Sequence, residues 1–238
     1  RSLKQRERPR NDDRSFRHSR FLYGSPYFPR YLMGKRSGFA RRDRDFYPTP
    51  VKAVEPLIPH LPERFTYIEP CSGDGALVRA LTSFEGVAHG GKFCPTLEYA
   101  SDIAPSWKVK PLTTIGWQDY PPDCSHGLKA YIRDAFDIED AEENVDFFLT
   151  NPPWSRDVLH PMIMHLSAIL PTWLLFDADW MHTKQAAPYL PYCKQIVSVG
   201  RVKWIPDSPH TGKDNCAWYL FETDTRAPDA SVDFHGRG

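Results

Sequence analysis

The sequence predicts an α/β protein built on a mostly parallel sheet, and three observations support this. Short runs rich in β-branched and aromatic residues alternate with segments of helical period. A turn containing two glycines, residues 70–75, joins the first such run to the first helical segment. Only a loop separates the last two runs, which predicts a terminal antiparallel pair. With 238 residues, 41% of them hydrophobic, the chain can form one domain with a proper core.

Seven strands are predicted, at residues 65–69, 97–103, 129–133, 145–150, 172–177, 195–204 and 216–222. Helices are predicted at residues 76–84, 156–170 and 184–192, the last interrupted by Pro188. Proline-rich loops run through residues 104–126, and little helical pattern is found between 85 and 128. Strands separated by helices imply right-handed crossovers between parallel neighbours.

Charge divides the chain into a basic N-terminal arm, residues 1–44, a domain at residues 45–224 and a short tail at 225–238. Residues 1–45 hold 14 Lys and Arg against 5 Asp and Glu, although the whole chain has a net charge of zero. Such an asymmetry indicates a nucleic-acid or acidic partner. Three interpretations of the arm stay open: a solvated extension, a contact for phosphates and stacked bases, or a docking segment for a partner protein. The aromatic residues interleaved with its arginines are Phe21, Tyr23, Tyr27, Phe28 and Tyr31.

No run of 18 apolar residues and no apolar signal-peptide core is present, so neither a membrane span nor membrane binding is expected. The five cysteines are scattered and form no CxxC pair, which is typical of reduced thiols in the cytoplasm. Four residues could in principle bind zinc, but their spacing matches no familiar site, so no metal is expected. They are His89, Cys94, Cys124 and His126.

The turn Glu69-Pro-Cys-Ser-Gly-Asp-Gly75 follows the first strand and has the close backbone approach that a nucleotide-like cofactor needs. The alternative interpretation of this segment is an ordinary tight turn between a strand and a helix. Asp102 ends the second strand, where it would accept bonds from two ribose hydroxyls, or would cap a loop. Asp134 ends the third strand, where it would bind a cofactor adenine amino group while Phe136 packs on the ring, or would cap a helix.

Asn151-Pro-Pro-Trp154 directly follows the strand predicted at 145–150. Two prolines hold the chain extended, so that carbonyl groups can face a cleft. An amino group awaiting methylation has two N–H donors, which the side-chain oxygen of Asn151 and the backbone oxygen of Pro152 would accept. Those bonds would draw the nitrogen out of ring conjugation and free its lone pair. Trp154 offers a flat face for a flipped base; the alternative is a proline-rich loop with a core tryptophan.

These residues resemble the motifs of the S-adenosylmethionine-dependent amino-methyltransferases. Asn151-Pro-Pro-Trp154 is similar to their catalytic (D/N/S)-P-P-(Y/F/W) element, residues 69–75 to their cofactor motif, and Phe46-Tyr-Pro-Thr-Pro50 to the Thr-Pro element that precedes it. The order of the three elements is that of DNA adenine-N6 methyltransferases, especially short phage-type adenine methylases. The resemblance covers residues 45–222 and implies a Rossmann-like class I methyltransferase fold with a seven-stranded, mostly parallel sheet and a terminal antiparallel strand. It also implies S-adenosylmethionine as cofactor and the cytoplasm of a bacterium or a phage-infected host.

When the functional residues of the resembled family are matched to this sequence position by position, the resemblance implies three groups of site residues. The catalytic group is Asn151, Pro152, Pro153 and Trp154. The cofactor-binding group is Tyr47, Thr49, Pro50, Glu69, Cys71, Gly73, Gly75, Asp102, Ile103, Asp134, Ala135, Phe136 and Asn151. The substrate-binding group is Trp154 with Lys203, His210, Lys213 and Asn215, the last four in the connection between the final two strands, where a plain hairpin loop is the alternative. Trp173, Trp204 and Trp218 are predicted to be core residues.

The sequence therefore predicts a DNA adenine-N6 methyltransferase, with DNA favoured over RNA as partner. RNA and protein glutamine remain alternative targets, because asparagine also opens the Asn-Pro-Pro-Tyr motif of enzymes that methylate protein glutamine or RNA guanine. Cytosine N4 remains an alternative because it uses the same chemistry. A third hypothesis is an inactive fold kept as an assembly component. Only about 16 residues follow Glu222, so no sizeable target-recognition domain follows the last predicted strand.

Overall fold

In the computed structural model of this chain, one mixed sheet of eight strands organises the residues that the structure describes, 47–104, 130–205, 211–223 and 231–237. The strands are β1 (Arg64–Glu69), β2 (Cys94–Asp102), β3 (Ala130–Ile132), β4 (Phe147–Thr150), β5 (Thr172–Asp177), β6 (Cys193–Arg201), β7 (Asn215–Phe221) and β8 (Asp233–His235). Their order across the sheet is β3-β2-β1-β4-β5-β7-β6-β8.

The first five strands in space are all parallel to one another. Strand β7 runs antiparallel to both β5 and β6, and β8 pairs in parallel with β6. The chain moves outward from β1 to β2 and β3, and then returns to the other side of β1 for β4. Such a reversal leaves a crevice at the carboxyl ends of the central strands, here β1 and β4, where open α/β sheets bind their ligands.

Alternating side chains of the strands fill cores on the two faces of the sheet. On one face, Leu149 and Leu175 pack with Leu77 and Leu81 of helix α2 (Ala76–Thr82) and with residues of helix α1 (Val51–Val54). On the other face, Phe148 and the neighbouring strand residues pack against helix α4 (Arg156–Ser167). A short helix, α3 (Ala88–Gly91), lies between α2 and β2, and 3-10 turns span Glu55–His60, Ala135–Asp137, Ala178–His182 and Leu190–Tyr192.

The predicted fold class is confirmed: the described residues form a Rossmann-like α/β fold with a mostly parallel sheet and an antiparallel pair near its end. All seven predicted strands are present within a few residues of their expected bounds. An eighth strand, β8, forms within the segment predicted to be a tail. Its three residues extend the sheet beyond β6, which a seven-stranded expectation did not include.

The helix predicted at residues 184–192 is wrong. This segment consists of turns that end in the 3-10 turn Leu190–Tyr192. Pro188 and Pro191 explain the difference, since each lacks the N–H that a continuous helix needs. The helix α1 and the 3-10 turn that follows it were not predicted; they occupy the stretch between the Thr-Pro element and β1.

Trp173 and Trp218 are core residues as predicted, at 1% and 0% exposure, whereas Trp204 is half-buried. The described residues all belong to one compact unit of the chain, residues 36–238. No helix among them is long and apolar enough to cross a membrane. The predictions for the arm (1–44), for Phe46, for most of the loops at 104–126 and for His210 concern residues outside the described part of the chain.

Candidate active site

The glycine turn between β1 and α2 adopts backbone angles that favour glycine. Gly73 has φ of 54° and Gly75 has φ of 76°, both in the left-handed region, and both residues are buried. The N–H of Gly75 donates to the Ser72 carbonyl at 2.7 Å, and the N–H of Ala76 donates to Asp74 Oδ1 at 2.9 Å. The turn is thus a closed loop at the carboxyl end of β1, with two positions that lack a side chain.

Asp102 links this turn to the end of β2. Its Oδ2 accepts the N–H of Gly73 at 2.8 Å, and its Oδ1 accepts the N–H of Ala104 at 2.7 Å. A carboxylate has about four acceptor positions, so Asp102 keeps capacity for hydroxyl donors beyond these two bonds. The geometry shows that Asp102 fixes the glycine turn; its predicted contact with a ribose stays a prediction.

Asp134 caps the 3-10 turn Ala135–Asp137, because its Oδ1 accepts the N–H of Phe136 at 3.0 Å. The capping alternative therefore accounts for one of its oxygens. Phe136 and Ile103, which follow β3 and β2, remain 38% and 55% exposed, whereas Ala135 is buried. Exposed apolar side chains beside carboxylates fit the predicted packing on an adenine ring, which stays a prediction.

Glu69 ends β1 and is almost fully buried at 2% exposure. Among the described residues, its Oε2 atom has no hydrogen-bond partner. Burial raises the pKa of this carboxyl well above its ordinary value, and the nearby carboxylates of Asp74 and Asp102 raise it further, while Arg79 acts in the opposite direction. The neighbouring Cys71 thiol also has a raised pKa, caused first by burial and then by Asp102. The turn therefore combines a closed backbone with an unsatisfied buried acid.

Asn151 lies directly after β4, and its side-chain amide is held from both ends. Its Nδ2 donates to Thr49 Oγ1 at 3.1 Å and to the Tyr47 carbonyl at 3.3 Å. Its Oδ1 accepts the indole N–H of Trp154 at 3.2 Å. A carbonyl can only accept and an indole N–H can only donate, so these partners fix which end of the amide faces which way.

The Thr-Pro segment that supports Asn151 is itself anchored to the sheet. Helix α1 begins directly after Pro50, and the N–H of Ala53 donates to the Pro50 carbonyl at 2.9 Å. The carbonyl of Ala53 in turn accepts the indole N–H of Trp218 on β7 at 2.7 Å. A chain of contacts thus runs from the buried core through α1 to Thr49 and Asn151, which joins two of the three predicted motifs.

Trp154 is half-buried, and its indole N–H is shared between Asn151 Oδ1 and the Leu175 carbonyl, the latter at 3.1 Å. Its ring meets that of Trp204 edge to face, with centroids 5.7 Å apart. Trp204 also approaches Tyr47, with ring centroids 6.5 Å apart. Trp154 is therefore a structural partner of Asn151, and its predicted stacking on a base stays a prediction.

Trp204 was predicted to be a core residue at the end of a strand spanning residues 195–204. Strand β6 ends at Arg201 instead, and Trp204 lies beyond it, with its ring close to those of Trp154 and Tyr47. Pro152 is buried and Pro153 half-buried in the same segment, consistent with an extended connection.

Of the other predicted substrate residues, Lys203 and Lys213 lie in the connection between β6 and β7, Asn215 begins β7, and His210 is outside the described residues. Arg201 pairs with Asn215, and the N–H of Gly212 donates to the Val202 carbonyl at 2.8 Å, so the hairpin is closed at its base. Lys203, Lys213 and Asn215 are exposed there. Across the sheet, Asp177 ends β5, its Oδ1 accepts the N–H of Asp179, and burial raises its pKa.

No cluster of histidine, cysteine and acidic residues suited to a metal ion occurs in the described part of the chain. Cys124 and His126, two of the residues considered for zinc, lie outside it.

No protein-family model matches this chain, and no curated protein matches it either. Solved structures of similar fold include a Listeria monocytogenes protein named as a class I S-adenosylmethionine-dependent methyltransferase, at 10% identity and a TM-score of 0.43 over 77% of this chain. A dimethyladenosine transferase from Plasmodium falciparum is similar at 13% identity and 0.41 over 74%. A protein of a type I restriction–modification system is similar at 14% identity and 0.45 over 79%.

This chain spans 61%, 62% and 44% of the lengths of those three proteins. At such identities and TM-scores the likeness carries no argument about cofactor or substrate. Any assignment of activity therefore depends on the residues of the site itself.

Proposed function

We propose that this chain is an S-adenosylmethionine-dependent methyltransferase that acts on an exocyclic amino nitrogen, with adenine N6 in DNA as its target. The observation that carries the proposal is the position of Asn151. Its amide is fixed by Thr49 and Tyr47 at the carboxyl end of β4, next to the β1 strand that ends in the glycine turn. An amide acceptor and a nucleotide-type turn thus share one crevice.

The residues present fit the cofactor. Gly73 and Gly75 provide two positions of the turn without side chains, Asp102 keeps acceptor capacity, and Glu69 carries a buried oxygen without a partner among the described residues. Thr49 and Pro50 would lie along the methionine portion, and Phe136 along the adenine. When bound, the cofactor supplies an electrophilic methyl group.

The chain's own residues perform the orientation step. Asn151 Oδ1 already accepts one bond from Trp154, and its second lone pair would accept an N–H of the target amino group. The Pro152 carbonyl would accept the other N–H. Both acceptors weaken the conjugation of the nitrogen with its ring, which makes its lone pair available. No general base is required, because the proton can leave after the methyl group has been transferred.

Nucleic acid is proposed as the substrate on account of charge. The arm carries 14 basic residues against 5 acidic ones within residues 1–45. Lys203 and Lys213 are exposed on the β6–β7 connection, whose Trp204 ring lies near those of Trp154 and Tyr47. DNA is favoured over RNA only because the order of the motifs resembles that of DNA adenine-N6 methyltransferases. A methyl-transfer assay on both nucleic acids distinguishes the two.

The test is transfer of radiolabelled methyl from S-adenosylmethionine to unmethylated DNA, total RNA and a protein extract in parallel, with nucleoside analysis of labelled nucleic acid. The expected result is N6-methyladenine in DNA. Label found in N4-methylcytosine, in RNA or in protein glutamine would overturn adenine N6 of DNA as the target, but it would still support methyl transfer to an amino nitrogen. No label from a protein that binds the cofactor would contradict the enzymatic assignment and support the inactive fold.

A further inference from the structure

The crevice holds three carboxyl groups around one turn, and only one of them is fully enclosed. Glu69 is 2% exposed, Asp74 lies within the turn, and Asp102 accepts the Gly73 N–H at 2.8 Å. Three negative charges at such a site would repel one another, and a buried carboxylate loses its hydration as well. The group that is most enclosed is therefore the one expected to hold a proton.

The partners of the three acids support this assignment. Both oxygens of Asp102 accept backbone N–H groups, and Asp74 accepts the Ala76 N–H and pairs with Arg79 at 3.3 Å. The oxygens of Asp74 and Asp102 thus have donors close to them. Glu69 Oε2, in contrast, has no partner among the described residues. A neutral carboxylic acid is the form that such an environment tolerates.

We propose that Glu69 is a protonated carboxylic acid in the cofactor-free protein and releases its proton when the cationic cofactor binds in this crevice. The inference rests on the proposed function. S-adenosylmethionine carries a sulfonium and an ammonium group against one carboxylate, so it brings net positive charge. On binding, the O–H bond of Glu69 breaks, the proton passes to the buffer, and the carboxylate gains the compensating charge that it lacked.

The charged groups that act on Glu69 come from three elements: Asp74 from the turn, Asp102 from β2 and Arg79 from α2. Asp74 and Asp102 favour the neutral acid, and Arg79 favours the carboxylate. Strand β4, which pairs with β1, consists of uncharged residues, Phe147–Thr150, so it adds no charge that opposes protonation. The positive charge of a ligand is the added element that would reverse the balance.

The experiment is calorimetric titration of the full chain with S-adenosylmethionine at neutral pH in buffers of small and large ionisation enthalpy. The dependence of the binding enthalpy on the buffer gives the number of protons released, expected to approach about one per cofactor. Glu69→Gln should bind with an enthalpy that no longer depends on the buffer. The matched control Glu139→Gln changes an exposed glutamate and should release as many protons as the wild type.

A second variant keeps the test decisive if Glu69→Gln does not fold. Asp74→Asn removes one repelling charge while its side-chain oxygen can still accept the Ala76 N–H, so it should lower the number of protons released. A buffer-independent enthalpy in the wild type, or unchanged release in Glu69→Gln or in Asp74→Asn, would overturn the inference and leave the proposed function intact. Absence of any cofactor binding by the wild type would contradict both.

Discussion

The side-chain amide of Asn151 donates to the hydroxyl of Thr49 at 3.1 Å, although 102 residues separate the two in sequence. The same nitrogen donates to the Tyr47 carbonyl, which can only accept. The Thr-Pro element thus sets the orientation of the first residue of the Asn-Pro-Pro-Trp element. This contact gives a physical reason for asparagine at this position, where the resembled motif also admits aspartate.

Asn151→Asp should therefore impair the site although aspartate is common in the resembled motif. A carboxylate oxygen would face the Tyr47 carbonyl, so a donor would be lost and two acceptors would oppose each other, at a cost of about 1–3 kcal/mol. We expect a lowered free energy of unfolding and reduced methyl transfer, measured by denaturant titration and by label incorporation. Asn144→Asp, at an exposed turn, is the control and should change neither quantity. A fully stable and fully active Asn151→Asp would show that the Tyr47 contact is unimportant.

Gly73→Val should weaken cofactor binding by distorting the glycine turn. A β-branched residue at φ of 54° is strained by about 1–2 kcal/mol, and its side chain would occupy the space over the turn. Gly86→Val makes a matched control, because Gly86 has φ of 65° and an added Cβ there meets nothing within 4 Å. Both variants bear a similar backbone penalty from their positive φ, although Gly73 is buried and Gly86 is exposed, and only Gly73→Val should lose affinity in calorimetry. Equal affinity in the two variants would place the cofactor elsewhere.

Acidification should weaken the contact between α4 and the segment after β5. The indole N–H of Trp180 donates to His160 Nε2 at 3.0 Å, so this histidine must be neutral. Burial and then the charge of Arg156 lower the pKa of His160 below its ordinary value. A lowered folded-state pKa means that the stabilisation is present above the ordinary histidine pKa and is lost as pH falls through the lowered value.

The measurement is the free energy of unfolding against pH for the wild type and for His160→Gln, which keeps an acceptor that does not titrate. The wild type should lose about 1 kcal/mol relative to the variant as the histidine protonates. His182→Gln, at an exposed position, should follow the wild-type curve. Parallel curves for the wild type and His160→Gln would refute the role of the Trp180 bond.

Deleting residues 1–40 should weaken nucleic-acid binding and reduce its salt dependence. Each phosphate that a basic side chain neutralises contributes about 0.9 to the slope of log affinity against log salt for duplex DNA. The deleted segment holds most of the basic excess of the arm. Binding would be measured over a series of salt concentrations with duplex DNA. An unaltered slope would favour the solvated or partner-docking interpretation of the arm.

Much of the sheet was predictable because its strands are short apolar runs bounded by turn residues. Strand β5 begins and ends at the predicted residues, 172 and 177, since every residue before its last is buried. The helix predicted at residues 184–192 was wrong because the prediction gave more weight to the helical spacing of apolar residues than to the two prolines in the segment. Strand β8 was not predictable: three residues cannot show a period, and their pairing with β6 depends on tertiary contacts.

The site was predictable to the level of its motifs, because each motif follows a strand that the pattern identified. The sequence could not show that Thr49 and Tyr47 hold Asn151, since the contact spans about half of the domain. Nor could it show that the indole N–H of Trp154 is bonded inward, because the direction of a side chain depends on packing. The buried state of Glu69 likewise became visible only with the fold.

The role of Asn151 is tested most directly by comparing the wild type with Asn151→Ala for two quantities, methyl transfer to DNA and affinity for S-adenosylmethionine. Transfer should be lost while cofactor affinity stays nearly unchanged, because Asn151 bonds to the target amino group rather than to the cofactor. Full transfer activity in Asn151→Ala would contradict the assignment of Asn151 as the residue that orients the amino group.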